Sequence, residues 1–188
     1  MTTTVFSTRG ARWALFLVGA CLAASCATQD PEAPAVADAP VVVGGASVIA
    51  VDASRFDAGR NAQLESGPSR RAWVDALSRH LAERVAHRLA PGQRLDVRIT
   101  DVQRAGDFEP WRGPPAAQVR IVRDIYPPRI DLSFKLRDER GAVLREGNRQ
   151  LRDSTFLMRP DMYPNDPLRY EKALLDDWVR EEFGVAGR

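Results

Sequence analysis

Three acidic residues follow one another closely in the middle of the chain, namely Asp101, Asp107 and Glu109. Two carboxylates whose pKa values are pushed apart by burial can act as general acid and general base in hydrolysis. Trp111 follows, and an aromatic ring beside such acids resembles many sugar-binding sites. In the alternative interpretation the acids are structural and accept backbone hydrogen bonds or pair with Arg104, Arg112 or Arg123. We favour this structural role, because ion pairs in proteins are more often structural than catalytic.

A second distinctive segment spans residues 123–129 and contains two consecutive prolines. Prolines within a sheet region force an edge, a bulge or a sharp connection. Tyrosine and arginine are enriched at binding hot spots, so their presence beside a rigid turn favours a contact surface. The candidate contact surface consists of Trp111, Arg123, Asp124, Tyr126 and Arg129, and we extend it to the loop at residues 158–163. Alternatively, these residues only fix the path between two strands.

Other chemistries lack suitable residues in this sequence. His80 and His87 are seven positions apart, whereas two histidines that coordinate one metal ion from the same helix are usually four positions apart. We therefore expect both histidines at the surface or rim of a helix. The serines lack a Gly-x-Ser-x-Gly setting. We predict no catalytic residue, no metal and no cofactor, and we favour a non-enzyme over an enzyme.

The hydrophobic pattern predicts the elements that position these residues. Helical spacing predicts one helix from residue 68 to 90 and a second that follows Asp166 and Pro167. Alternating patterns predict strands at 47–51, 94–100, 129–137 and 142–151, and a weaker strand at 119–125. The predicted fold class is α+β, with a mostly antiparallel sheet of about five strands and two packed helices. On the second helix we expect solvated acids, with Asp176 paired to Arg180.

The N-terminal residues 1–26 predict a lipoprotein signal peptide. Arg9 and Arg12 precede an apolar run, and small residues stand directly before Cys26. A cysteine at this point is typical of a bacterial signal in which it becomes the lipid-bearing first residue of the mature protein. Cys21 is the competing cysteine, and a plain signal peptide is the other alternative.

The rest of the chain divides into a flexible Ala- and Pro-rich tether at residues 27–45 and a single globular domain at residues 46–188. Ala27, rather than Asp, follows Cys26, which resembles the pattern of lipoproteins sent to the outer membrane. We expect a lipid-anchored protein on the periplasmic face of the outer membrane, with a soluble periplasmic protein as the alternative. No second apolar run is long enough to predict a membrane-spanning helix.

The net charge of the chain limits the classes of partner that it is expected to bind. Without residues 1–26 the chain has 25 Lys and Arg against 25 Asp and Glu, so it is formally neutral. This balance argues against nucleic acid, which requires a basic footprint. The expected partners are the membrane, through the N-terminal lipid, and a protein of the cell envelope.

Several short motifs together resemble a known family of uncharacterised proteobacterial lipoproteins, the domain-of-unknown-function family DUF3016. The motifs are Asp101-Val102, Asp107-Phe108-Glu109-Pro110, Arg120-Ile121-Val122-Arg123-Asp124, Arg169-Tyr170-Glu171-Lys172 and Leu174-Leu175-Asp176-Asp177-Trp178. The resemblance covers about residues 46–183 and implies an exported single-domain protein. It implies no activity and transfers no catalytic residue.

The sequence therefore leaves three functions open. The first is a non-catalytic binding or accessory module of the cell envelope. The second is a carboxylate-based hydrolase acting on envelope glycans, which requires that the carboxylates converge in a cleft. The third is a structural lipoprotein that pairs with another chain through a sheet edge.

Overall fold

A computed structural model of the protein describes residues 38–57, 65–113 and 119–184. The described part contains two α-helices and seven strands. In chain order these are β1 Val41–Val43, β2 Ala46–Ala50, α1 Gly67–Ala86, β3 Arg94–Gln103, β4 Asp107–Phe108, β5 Arg120–Ile121, β6 Arg129–Arg137, β7 Val143–Arg152 and α2 Arg169–Phe183. No helix among these residues is long and apolar enough to cross a membrane.

The five-stranded sheet has the order β1-β2-β3-β6-β7, and a separate two-stranded sheet consists of β4 and β5. In the large sheet only β2 and β3 run parallel, and α1 provides the crossover between them. The predicted α+β fold, with five mainly antiparallel strands and two helices, is confirmed. The weaker strand predicted at 119–125 is shorter and lies outside the large sheet, because the chain turns at Arg123, whose carbonyl accepts a hydrogen bond from Tyr126 N (3.0 Å).

Part of the segment predicted as a tether forms a strand of the large sheet. Strand β1 lies within the segment 27–45 that the composition predicts as a tether, and it pairs antiparallel with β2. Asp38 N also donates to Ala50 O (3.2 Å). Residues 38–45 therefore belong to the fold. The predicted signal peptide at 1–26, with Cys21 and Cys26, and the remaining tether at 27–37 lie outside the described residues.

Both helices pack on one face of the large sheet. On β3 and β6 the residues that face the helices are buried, and those between them are polar and partly exposed. The helices contribute the large apolar side chains Trp73, Leu77, Leu81 and Val85 from α1 and Leu174, Leu175 and Trp178 from α2. The opposite face of the sheet carries charged and polar side chains, as expected for an antiparallel sheet covered on one side.

The helix ends follow from local hydrogen bonds. The hydroxyl of Ser66 accepts from Ser69 N (3.2 Å), and Pro68 occupies the first turn of α1, where its missing N–H costs nothing. Helix α2 begins at Arg169, two residues later than Pro167, the predicted first position. Asp166 instead caps a preceding turn, because its Oδ1 accepts from Leu168 N (2.8 Å).

Candidate contact surface

Glu109 organises the region in which most of the predicted site residues lie. It directly precedes the short 3-10 turn Pro110–Arg112, and its side chain is fully buried. Its Oε1 accepts hydrogen bonds from Arg123 Nη1 (3.0 Å) and from the Tyr126 hydroxyl (3.2 Å). Its Oε2 forms an ion pair with Arg112. One carboxylate thus joins the turn after β4 to the segment that precedes β6.

These contacts favour the ionised form of Glu109. Burial alone would raise the pKa of Glu109, but the hydrogen bond from Arg123, the charge of Arg112 and the Tyr126 hydroxyl outweigh it and lower the pKa below its ordinary value. Burial and the adjacent Glu109 carboxylate raise the pKa of Tyr126, so the phenol stays protonated and continues to donate. A carboxylate held in this way is poorly suited to giving up a proton as a general acid.

Arg120 connects several residues in the same region. Its Nη1 donates to Gly106 O (2.9 Å), and its guanidinium lies 4.9 Å from the centre of the Phe108 ring and forms an ion pair with Asp57. Gly106 N donates to Tyr126 O (3.0 Å). The φ of Gly106 is +79°, and a Cβ there would lie 2.8 Å from the carbonyl oxygen of Ile121, so this position requires glycine.

Several large side chains that are close in sequence to these contacts are exposed. Trp111 is 62% exposed and Ile125 59% exposed, and Val122 is also exposed. The side chains of Arg112 and Arg123 are partly exposed to solvent, while Arg112 Nε and Arg123 Nη1 contact the Glu109 carboxylate. We call these five residues the Trp111 surface. Exposed aromatic and aliphatic groups next to arginines, on a backbone held by partly buried hydrogen bonds, are typical of protein contact sites.

The remaining predicted residues do not join the Glu109 cluster. Arg129 pairs with Asp101 across β3 and β6, on the face of the sheet that the helices leave open. The carboxylates of Asp107 and Asp124 each accept from the backbone N–H of the next residue (2.8 and 3.0 Å). Each of the three predicted acids therefore has a separate hydrogen-bond or ion-pair partner. These are the kinds of contact expected if the acids have a structural role.

The loop at residues 158–163, added to the contact surface from sequence, has mixed exposure. Met158 is 88% exposed and Met162 is also exposed. The Tyr163 hydroxyl, in contrast, donates to Asp176 and accepts from Arg84 Nη2 (2.7 Å), so this tyrosine holds the loop to both helices.

Three features expected from sequence on the helices are wrong. His80, expected at the surface or rim, is largely buried, and its Nε2 lies 2.9 Å from Asp176 Oδ1. Asp176 therefore bonds across to α1, while Arg180 pairs with Asp177 instead. Glu171, expected in solvent, is buried and accepts from Ala105 N (2.6 Å). Burial raises the pKa of Glu171. The hydrogen bond from Ala105 N and the charges of Arg104 and Arg120 lower it, but they offset the effect of burial only in part.

Asp57 is another largely buried acid that sequence reasoning missed. Burial raises its pKa to about 6, although Arg120 and Arg104 act in the opposite direction. Its partner Arg120 is 63 residues away in the sequence, so no local pattern indicates the pair. Within the described ranges no group of three or more His, Cys, Asp or Glu side chains is placed to hold a metal ion.

Comparison with known proteins identifies a family. The model of the family described as "Protein of unknown function (DUF3016)" matches residues 44–181, which is most of the folded domain. No curated protein matches the chain. No solved structure matches it either.

Proposed function

The chain belongs to the DUF3016 family, whose description assigns no function, and on that premise we propose that it is a non-catalytic binding module of the bacterial cell envelope. We infer that a lipid on Cys26 holds it on the periplasmic face of the outer membrane. In this proposal the Trp111 surface contacts another protein of the envelope.

The observation that carries the proposal is the exposure of Trp111 in the turn that directly follows the buried Glu109. A surface that is already rigid before binding loses little conformational entropy when it meets a partner. The bonds of Glu109 to Arg112, Arg123 and Tyr126 provide that rigidity. Tryptophan and arginine are also the side chains that contribute most at contact sites.

The alternative of a carboxylate-based hydrolase receives no such support. Glu109 is fully buried, so a glycan cannot reach its carboxylate. Arg129 pairs with Asp101 on the open face of the sheet, whereas Glu109 is bonded to the turn after β4.

Pairing through a sheet edge is a second candidate, because β7 is a ten-residue edge strand of the large sheet. Among the described residues only β6 pairs with it. Its register shifts near Arg137, and it carries the charges of Arg145, Glu146, Arg149 and Arg152. Bulges and charges are devices that discourage edge pairing, so we rank this candidate second.

The anchor is tested by labelling cells with radioactive palmitate and by the mass of the mature N-terminus. We expect label in the wild type and in Cys21→Ser but none in Cys26→Ser. We also expect the labelled protein to sediment with the outer membrane. Label that survives Cys26→Ser, or an unmodified soluble mature protein, would overturn the proposed anchor.

The contact surface is tested by placing a photocrosslinking amino acid at position 111 in intact cells. We expect one defined protein adduct there, and we expect its loss when Ile125→Asp is added. The matched control position is Leu144, which is similarly exposed but lies on β7. Absence of an adduct at position 111 argues against the proposal, whereas an adduct at position 144 alone favours edge pairing.

A further inference from the structure

The face of the large sheet that the helices leave open carries a row of residues with complementary chemistry. Ile49, Arg98, Ser133 and Asn148 are direct register partners across four successive strands, β2, β3, β6 and β7. They lie in a groove of about 750 Å³, which is within the size range of small-ligand sites. A hydrophobic group, a guanidinium, a hydroxyl and an amide therefore stand side by side in one groove.

The charged side chains that line this groove include one cation more than can be paired with the acids there. Its charged lining residues are Asp96, Arg98, Lys135, Arg137 and Glu146. Arg137 pairs with Asp96, and Lys135 pairs with Glu146 (2.8 Å). Among the residues that the structure describes, no side chain forms an ion pair or a hydrogen bond with Arg98. The groove thus has a net charge of one positive unit, carried by an exposed guanidinium.

The identity of the free cation indicates the class of ligand. A planar guanidinium pairs with a carboxylate through two parallel hydrogen bonds. A single surplus charge beside two acids that are already paired matches a monoanionic carboxylate better than a doubly charged phosphate. Ser133 and Asn148 can donate to and accept from amide groups. Ile49 and Pro40 line the same groove and provide apolar contact.

We propose that this groove binds the free carboxyl end of a short peptide. Arg98 binds the terminal carboxylate, Ser133 and Asn148 bond to the peptide groups, and Ile49 contacts an apolar side chain of the ligand. The site involves none of the residues of the Trp111 surface. Its success or failure is therefore independent of the proposed contact with an envelope protein.

The test is a titration of the purified full chain with N-acetyl-trialanine, once as the free acid and once as the C-terminal amide. Binding is followed by calorimetry and by the NMR signal of the Asn148 side-chain amide. We expect the free acid to bind with a dissociation constant of about 1 mM or below. The amide should bind at least about tenfold more weakly, because it lacks the charge that Arg98 recognises.

The variants localise the effect. Arg98→Ala should weaken binding of the free acid at least about tenfold, with an unchanged thermal unfolding midpoint. Arg152→Ala is the matched control, because Arg152 is an exposed arginine on the same face that does not line the groove. It should change the affinity less than about twofold, within the range of distant surface charges.

Four results would overturn the proposal. They are equal affinities for the free acid and the amide, no binding of the free acid up to about 20 mM, equal losses in Arg98→Ala and Arg152→Ala, and tighter binding of inorganic phosphate than of the free acid. If Arg98→Ala fails to fold, the affinities of the wild-type protein for the free acid and for the amide still test the proposal.

Discussion

His80 and Asp176 are 96 residues apart in the sequence, yet His80 Nε2 lies 2.9 Å from Asp176 Oδ1. Arg84 donates to both oxygens of the same carboxylate, at 3.0 Å each, and the Tyr163 hydroxyl donates to Oδ2. One ionised acid therefore connects α1, α2 and the loop that precedes α2. Burial opposes ionisation, but the three donors outweigh it and lower the pKa of Asp176 to about 2.

The first prediction concerns acid stability. The pKa of Asp176 is about 2 in the folded state and 3.8 in the unfolded state. Its contribution to the free energy of unfolding is therefore present above pH 3.8 and is lost as the pH falls towards 2. We expect Asp176→Asn to lower the stability at pH 7 by about 1–2 kcal/mol, after allowance for solvent screening. Urea unfolding at pH 7, 4 and 2.5 should show the difference from wild type shrinking with acid.

The control for this prediction is Asp75→Asn, since Asp75 is an exposed residue of α1. Its difference from wild type should stay near zero at all three pH values. An Asp176→Asn difference that is as large at pH 2.5 as at pH 7 would contradict the account.

The comparison of sequence with structure shows which signals are local. Strand β6 could be predicted because its alternation of buried and exposed residues is written in consecutive positions. Strand β1 could not, since three valines in a Pro- and Gly-rich context become a strand only through pairing with β2. The same limit applies to the site. Residue types indicated Trp111 and Tyr126, whereas the support from Asp57 and Arg120 depends on tertiary contacts.

The second prediction concerns the opposite titration of Asp57. Its pKa is about 6 in the folded state and 3.8 in the unfolded state, so the folded protein holds the proton more tightly. Its contribution to stability is fully present below pH 3.8 and is lost as the pH rises through 6. Relative to Asp57→Asn, the wild type should lose about 2 kcal/mol between pH 4 and 7. Asparagine suits the positive φ of 53° at this position.

Paired urea titrations of wild type and Asp57→Asn at pH 4, 5, 6 and 7 measure this difference. Glu171, whose pKa is also raised by burial, titrates in both proteins and cancels in the comparison. A difference that is constant from pH 4 to 7 would refute the assignment to Asp57.

The third prediction concerns the ion pair between Arg120 and Asp57. Both side chains are largely buried, so removing one leaves a buried charge without its partner. We expect Arg120→Met to cost about 1–3 kcal/mol at pH 7, because Asp57, whose pKa is already about 6, takes up a proton when its partner is removed and so limits the penalty. Adding Asp57→Asn should restore part of that loss, because asparagine needs neither the proton nor the charged partner. A double-mutant cycle measures the coupling, and strictly additive effects would exclude it.

The last prediction separates two requirements for glycine. Gly106 and Gly141 both have positive φ angles, 79° and 84°, but only at Gly106 would a Cβ collide with backbone, 2.8 Å from Ile121 O. Gly141→Ala should therefore cost about 1 kcal/mol from the backbone angle alone. Gly106→Ala should cost about 1–3 kcal/mol more, because β4 and β5 must separate. It should also change the fluorescence of Trp111, whose turn follows β4. Thermal unfolding and emission spectra of the two variants provide the measurement, and equal losses would show that the close approach to Ile121 is not needed.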